Sequence, residues 1–411
     1  MKNVLGYKCT ICGAELPYDE SMTCPHCGEK GILDIVFDYA YIKKTFNRES
    51  LANDRTNSMW RYSALMPLEP RDFSPFLRVG WTPLYPSNSL GRELGVQLFI
   101  KDDGLNPTAS LKDRASGVAV AKAIELGYDT IACSSTGNAA SSCAGNAARM
   151  GIKTVIFVPQ RAPEGKVAQL MIFGAKVVSV MGDYKATFDL SKAAIEKYGW
   201  YNRNAGINPI LTEGKKTVAL EIAEQMNWNV ADWVACSVGD GCTIGGVYNG
   251  FHDLYELGMI DRIPRILGVQ STGCCPFVVA AEQNAPLQPM EENTLADSIA
   301  VGVPRNPVKA LRAVSASGGK WIAVSDDDIL DTMRLLGRTE GVFGEPAGVT
   351  ATAGVRAAVK AGIIKSGESV VTISTGSGLK DVKNALRAAG KPTLCEPTLE
   401  ALDSSGILSA L

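Results

Sequence analysis

One lysine stands in an unusual setting. In "GLNPTASLKDR", residues 104–114, a polar turn separates an apolar run from a helical pattern, and Lys112 falls where the helix begins. Pro107 disfavours helix at Asn106 and so holds the turn open. The positive end of the backbone dipole and partial burial both disfavour a charged amine there. A neutral amine can attack an aldehyde and form a Schiff base. The plainer alternative is a solvated lysine at a helix start, with Asp113 and Arg114 as a surface pair.

Three more loops have chemistry-bearing composition. "SSTGNAASS", residues 134–142, puts Ser135, Thr136, Gly137 and Asn138 at a strand-to-helix elbow. Its N–H groups and hydroxyls can hold a carboxylate or another anion, although serine and threonine are also good N-caps without any ligand. "SVGDGCTIGG", residues 237–246, feeds a helix through Gly239, Asp240, Gly241, Cys242 and Thr243. Successive N–H groups of this kind can cradle a phosphate. Asp240 is the odd member, and an acid beside a phosphate is expected to point away from it. "SVVTISTGSGLKD", residues 369–381, ends a buried strand at Thr375. A threonine hydroxyl there can meet a ring nitrogen without bringing charge. An aldehyde for Lys112, a ring oxygen for Asn138, a phosphate for the glycine loop and a ring nitrogen for Thr375 occur together in pyridoxal 5′-phosphate. That cofactor is an electron sink for carbanions next to an amino acid's carboxylate, and Ser135 to Asn138 would take the carboxylate.

The N-terminus carries a separate signal. Cys9 and Cys12 form one CxxC pair and Cys24 and Cys27 another, each followed by glycine. Four thiolates at this spacing suit a tetrahedral zinc ribbon, which leaves His26 no ligand role. The chain has 411 residues, 11 cysteines and 2 histidines, with a net charge of −2, 46% apolar and 20% charged content. Scattered cysteines in an odd count argue against a disulfide framework. The charge balance favours neither nucleic acid nor a membrane surface. No apolar run reaches a membrane-spanning length and no apolar leader opens the chain, so a cytoplasmic protein is expected.

These loops need a frame. Strand-like runs "VQLFIKDD", "TIACSS", "KTVIFVP", "AKVVSVM", "DWVACSVG", "RILGVQS", "KWIAVS" and "SVVTISTG" alternate with helical patterns over 113–126, 137–150, 164–173, 185–198, 215–226, 245–257, 326–340 and 347–361. Such alternation predicts an α/β fold with parallel sheets covered on both faces and ligand sites at strand carboxyl ends. The expected organisation is a zinc-ribbon-like module over 1–38, a linker and N-terminal arm over 39–80, a catalytic region over 81–390 and a tail over 391–411. The catalytic region is expected in two α/β lobes, the smaller over about 115–205. Glu345 and Glu213 are candidates either to line the cleft or to sit as solvated turn carboxylates.

"GLNPTASLKDR", "SSTGN", "APEGKVAQLMIFGAKVV", "EGKKTVALEIAEQ", "VGDG" and "STGSGLKD", behind the four-cysteine knuckle, resemble threonine synthases and their close relatives. These are fold type II, tryptophan-synthase-β-like pyridoxal-phosphate enzymes. The resemblance implies two open, twisted, parallel-rich sheets flanked by helices, and a homodimer. It implies that Lys112 carries the cofactor's Schiff base and moves protons, and that Asn138 bonds the cofactor's 3′-oxygen. It further implies that Gly239, Gly241, Cys242 and Thr243 hold the phosphate and Thr375 faces the pyridine nitrogen. Finally, it implies that Ser135, Thr136 and Gly137 bind the substrate carboxylate and that the reaction turns O-phosphohomoserine and water into threonine and phosphate.

The chain departs from that family where the substrate phosphate is gripped. A segment that usually reads Asn-Ser-x-Asn-Pro-x-Arg has Gly206 at the serine and Leu211 at the arginine, and the residue after "SSTGN" is Ala139 rather than threonine. Arg161, Lys166, Lys185 and Lys215 are candidates to supply the missing charge. The alternatives are a related enzyme with another substrate, such as a cysteate-synthase-like replacement or a threonine/serine dehydratase-type elimination, and a non-catalytic zinc-ribbon interaction protein.

Overall fold

The computed structural model describes residues 1–162, 164–182 and 184–407. Its strands are β1 (Val4–Cys9), β2 (Glu15–Leu16), β3 (Leu33–Phe37), β4 (Leu84–Pro86), β5 (Gln97–Asp102), β6 (Thr130–Ser134), β7 (Lys153–Pro159), β8 (Lys176–Val180), β9 (Tyr201–Asn202), β10 (Trp233–Ser237), β11 (Arg265–Ser271), β12 (Lys320–Val324) and β13 (Ser369–Ser374). They form three sheets, in the orders β2-β1-β3, β12-β11-β10-β13-β5-β4 and β8-β7-β6-β9. The first is antiparallel. The other two are parallel throughout except at β4, which runs antiparallel to β5 at the edge.

All eight apolar runs in the sequence are strands. β6 and β10 are buried at every residue, because helices cover both sheet faces and leave no solvated side to alternate toward. The eight helical patterns are helices as well. The largest shift is at Ile210–Gln225, which begins five residues before the pattern over 215–226, and Cys242–Glu256 begins three before the pattern over 245–257. Asn208-Pro209 reads as a turn, yet Pro209 fits the start of a helix and the Asn208 carboxamide oxygen accepts the Ile210 N–H at 3.1 Å.

The arm over 39–80 packs against the body. Met59, Trp60, Tyr62 and Leu65 are buried in the main core, and Trp60 stacks on Phe73 at 4.4 Å. Tyr62 donates to Glu224 at 2.6 Å, which fastens this arm to helix Ile210–Gln225. Its polar punctuation hid isolated large apolar residues with no clear period. The N-terminal sheet is held to the body by Lys309 Nζ, which donates to the Leu33 carbonyl at 2.7 Å and meets Asp34 at 3.0 Å. Arg312 pairs with the same carboxylate at 2.7 Å.

Candidate active site

Helix Lys112–Glu125 starts at Lys112, and Asn106 before Pro107 is extended at φ −65°, ψ 159°. The neighbours of Lys112 rule out a surface pair, since Asp113 and Arg114 are both 0% exposed. Asp113 accepts from Thr108 N at 2.8 Å, Thr108 Oγ1 at 2.9 Å and Asn146 Nδ2 at 2.8 Å. Arg114 donates to Asp103 at 2.7 Å and to Glu221 at 2.6 Å, and Lys101 meets the other Glu221 oxygen at 2.7 Å. Two cations and two carboxylates thus balance in the dry interior directly behind the lysine turn. Burial alone would raise the Glu221 carboxyl, but Arg114 and Lys101 bring it down to about 2.

Backbone bonds gather the loops. Leu111 N–H donates to Thr375 O at 2.9 Å, Ser377 N–H to Ala109 O at 3.0 Å and Glu345 N–H to Gly376 O at 2.9 Å. Gly376 must be glycine, because a Cβ there would stand 2.5 Å from Glu345 Oε1.

The result is a cleft lined by Lys112, Asn138, Gly239, Asp240, Gly241, Cys242, Thr243 and Thr375. Thr136 and Gly137 line a smaller, narrow pocket beside it, and the two cavities share Asn138, Ser298 and Glu345. Ser135 lines neither cavity. Its hydroxyl accepts the Gly137 N–H at 3.2 Å and so braces the elbow. Among the described residues, the N–H groups of Thr136 and Asn138 have no protein acceptor. The same holds for Gly239, Asp240, Gly241 and Cys242. Gly241 sits at φ +86°, a backbone state that L side chains rarely adopt, and this turns the loop into the helix Cys242–Glu256. The Asp240 carboxylate accepts the Arg305 N–H at 2.7 Å and is thereby occupied with the 305–306 segment.

The charges around the cleft are lopsided. Burial, then the Lys215 ammonium, hold the half-buried Lys112 amine down to about 8. Lys215 is itself buried and lines the cleft next to Cys242. Burial raises the Cys242 thiol, but Lys215 outweighs it and the net shift is downward. Arg203 is buried nearby, donates from Nε to Ser116 at 3.0 Å and leaves one terminal nitrogen without an acceptor. Opposing these cations, Glu345 is pushed up to about 7, chiefly by burial and then by Asp297, and it accepts from Asn138 Nδ2 at 2.7 Å. Uncommitted N–H groups, a surplus of buried cations and one depressed amine fit an anionic, phosphorylated aldehyde such as pyridoxal phosphate.

Sequence reasoning left several cleft residues without a role. Ser298 and Ile299 come from a short turn that no motif marks. Glu213 is in neither of its anticipated places: it is buried against Lys216, which also pairs with Asp253. Of the four cations proposed to replace the absent arginine, Lys215 lines the cleft and Lys166 the side pocket. Arg161 is exposed, and Lys185 pairs with Asp189 on the surface.

The region matched by the family model for pyridoxal-phosphate dependent enzymes spans residues 76–376 and holds every residue of the cleft. The chain belongs to that family. It is 38% identical over 399 residues to threonine synthase from Methanocaldococcus jannaschii, covering 96% of this chain and 98% of the relative. It is 35% identical over 318 residues to threonine synthase from Mycobacterium bovis, covering 77% of this chain and 86% of the relative. Among solved structures, diaminopropionate ammonia lyase from Escherichia coli superposes with a TM-score of 0.66 at 19% identity, over 82% of this chain and 93% of that one. Threonine deaminase isoform 2 from Solanum lycopersicum gives 0.65 at 22% identity, over 75% and 83%. These two likenesses show the fold, fold type II. The chain is thus a threonine-synthase-like, pyridoxal-phosphate-dependent lyase in family terms.

The four N-terminal cysteine sulfurs lie within 4.8 Å of one another. Gly13 at φ +72° and Gly28 at φ +60° make the tight turns that bring them together, while His26 is exposed and outside the cluster. Four thiols so placed can close around one metal ion. No helix among the described residues is long and apolar enough to cross a membrane.

Proposed function

We propose that the enzyme catalyses elimination and replacement at the β/γ positions of an amino acid with an anionic leaving group. The first reading is O-phosphohomoserine and water to threonine and phosphate. The observation that carries it is Lys112, an amine with lowered basicity and no ion pair among the described residues, at the wall of a cleft whose opposite loop offers unpaired N–H groups. Similarity to threonine synthases over nearly the full chain supports the choice of substrate.

Bound pyridoxal phosphate would supply the electron sink for charge developing beside the substrate carboxylate. The chain's own groups do the rest. N–H groups of Gly239, Asp240, Gly241 and Cys242, with Thr243, hold the cofactor phosphate at the start of helix Cys242–Glu256. Thr375 would offer a neutral hydroxyl to the ring nitrogen, a partner without charge that suits elimination and replacement over transamination. Asn138 reaches the ring oxygen once its amide leaves Glu345. Thr136, Gly137 and Asn138 bind the substrate carboxylate on an elbow braced by Ser135. Lys112 Nζ takes and returns protons at the substrate carbons, a role that suits an amine poised near neutral pH. The four thiolates of Cys9, Cys12, Cys24 and Cys27 would hold a structural zinc, and none of them lines the cleft.

A second reading has its own observation. Leu211 is 0% exposed, and the place of a side chain at Gly206 is filled by Arg305, 2.5 Å from where a Cβ would be. The segment that usually grips the substrate phosphate has no cation of its own, and Arg305 beside Gly206 lines a different cavity, which favours a smaller or unphosphorylated substrate of β-replacement or dehydratase type. Phosphate release from O-phosphohomoserine by the cofactor-loaded enzyme tests the first reading. Absence of release, with turnover of threonine or of O-phosphoserine plus sulfite, replaces it by the second.

A further inference from the structure

The side pocket carries charge that the usual phosphate segment lacks. Its wall includes Thr136, Ser141, Lys166, Gln169, Ser298 and Lys380. Lys380 follows the strand-end loop of Thr375, and its Nζ donates to Ser141 Oγ at 2.9 Å and to Gln169 Oε1 at 3.2 Å. Both acceptors are neutral, and among the described residues Lys380 makes no ion pair with a carboxylate. An ammonium has three N–H bonds, so one is left for the pocket. Lys166 stands on the same wall, already paired with Asp297. With Lys166 matched by Asp297, the charged groups left on this pocket are the Lys380 ammonium and the Glu345 carboxyl, whose Oε1 already accepts from Asn138 at 2.7 Å. Asn138, Ser298 and Glu345 border both cavities, so a substrate held at Thr136 to Asn138 has its side chain within reach of Lys380.

We infer that Lys380, flanked by Lys166, binds the anionic leaving group of the substrate and takes over the role of the arginine and serine that this chain replaces with Leu211 and Gly206. The inference rests on the proposed reading that the substrate is an amino acid with a phosphate leaving group. It relocates the grip from the segment before helix Ile210–Gln225 to the side pocket under helix Glu164–Ile172. A charge-assisted hydrogen bond in such a pocket is strong, and losing it leaves a phosphate dianion poorly paired.

The test uses the cofactor-loaded enzyme and two ligands that cannot turn over, L-homoserine and the phosphonate analogue of O-phosphohomoserine. Dissociation constants are read by titration calorimetry, with cofactor content checked by absorbance. Lys380→Ala and Lys380→Gln should weaken the phosphonate by about 10- to 100-fold. They should change L-homoserine by less than about twofold, with full cofactor content. Lys166→Gln should weaken the phosphonate less, because its charge is already shared with Asp297. Phosphonate binding unchanged in both Lys380 variants overturns the inference. An equal loss for both ligands also overturns it, since that places Lys380 on the carboxylate they share. If the unaltered enzyme binds the phosphonate no more tightly than L-homoserine, the phosphorylated-substrate reading itself fails, a result separate from the other two.

Discussion

The rate at which cofactor-free protein takes up pyridoxal phosphate should depend on pH through Lys112, and two substitutions should move that dependence in opposite directions. Burial first and Lys215 second hold the amine down to about 8 from 10.5. At about pH 7.5 such an amine is roughly one-quarter neutral, whereas an ordinary lysine is roughly one-thousandth neutral. Only the neutral form attacks the aldehyde, so uptake should rise with pH and level off above about 8. Lys215→Met removes the second cause and keeps the first. The inflection should move up and still stay below 10.5. Glu345→Gln acts the other way. The carboxylate is formed above about 7 and favours the ammonium, so its removal should move the inflection down. The assay is stopped-flow absorbance at saturating cofactor over a pH series. An unaltered inflection near 10.5, or two variants shifting in the same direction, would refute the electrostatic account of this lysine.

Other consequences are equally concrete. Glu221→Ala strands Arg114 and Lys101 without a counter-charge in the interior, and should destabilise the fold by about 3–5 kcal/mol in urea unfolding. Gly241→Ala forces a side chain into φ +86°, with its Cβ 2.6 Å from the Asn306 carbonyl oxygen. It should weaken pyridoxal phosphate binding about tenfold or more while changing pyridoxal little, since only the phosphate uses that loop. Elemental analysis should find about one zinc per chain, lost in Cys24→Ala, with hydrogen exchange rising first in the N-terminal sheet.

The frame was legible because buried parallel strands read as short apolar runs, and the helices between them keep their period. The four loops were legible because glycine, serine, threonine and asparagine cluster at these strand ends, and the structure brings all four to one cleft or the pocket beside it. Burial was harder to read. Asp113 and Arg114 look like a surface pair because Asn146 and Glu221, which complete their bonding with Thr108 and Asp103, lie 33 and 107 residues along the chain. Lys215 and Lys216 are adjacent and identical in type, yet one lines the cleft and the other pairs with Glu213 and Asp253. Successive helix positions point about 100° apart, and nothing in "EGKK" says which faces where. Lys380 lies in the same motif as Thr375, where nothing in the spacing marks it, and Ser298 sits in a turn without periodicity.

Reduction of the cofactor-loaded enzyme with borohydride, followed by peptide mass spectrometry, tests the central claim most directly. The account predicts a pyridoxyl group fixed on Lys112. A label on Lys215, Lys380 or any other amine, or no label on a chain shown to contain the cofactor, would contradict it.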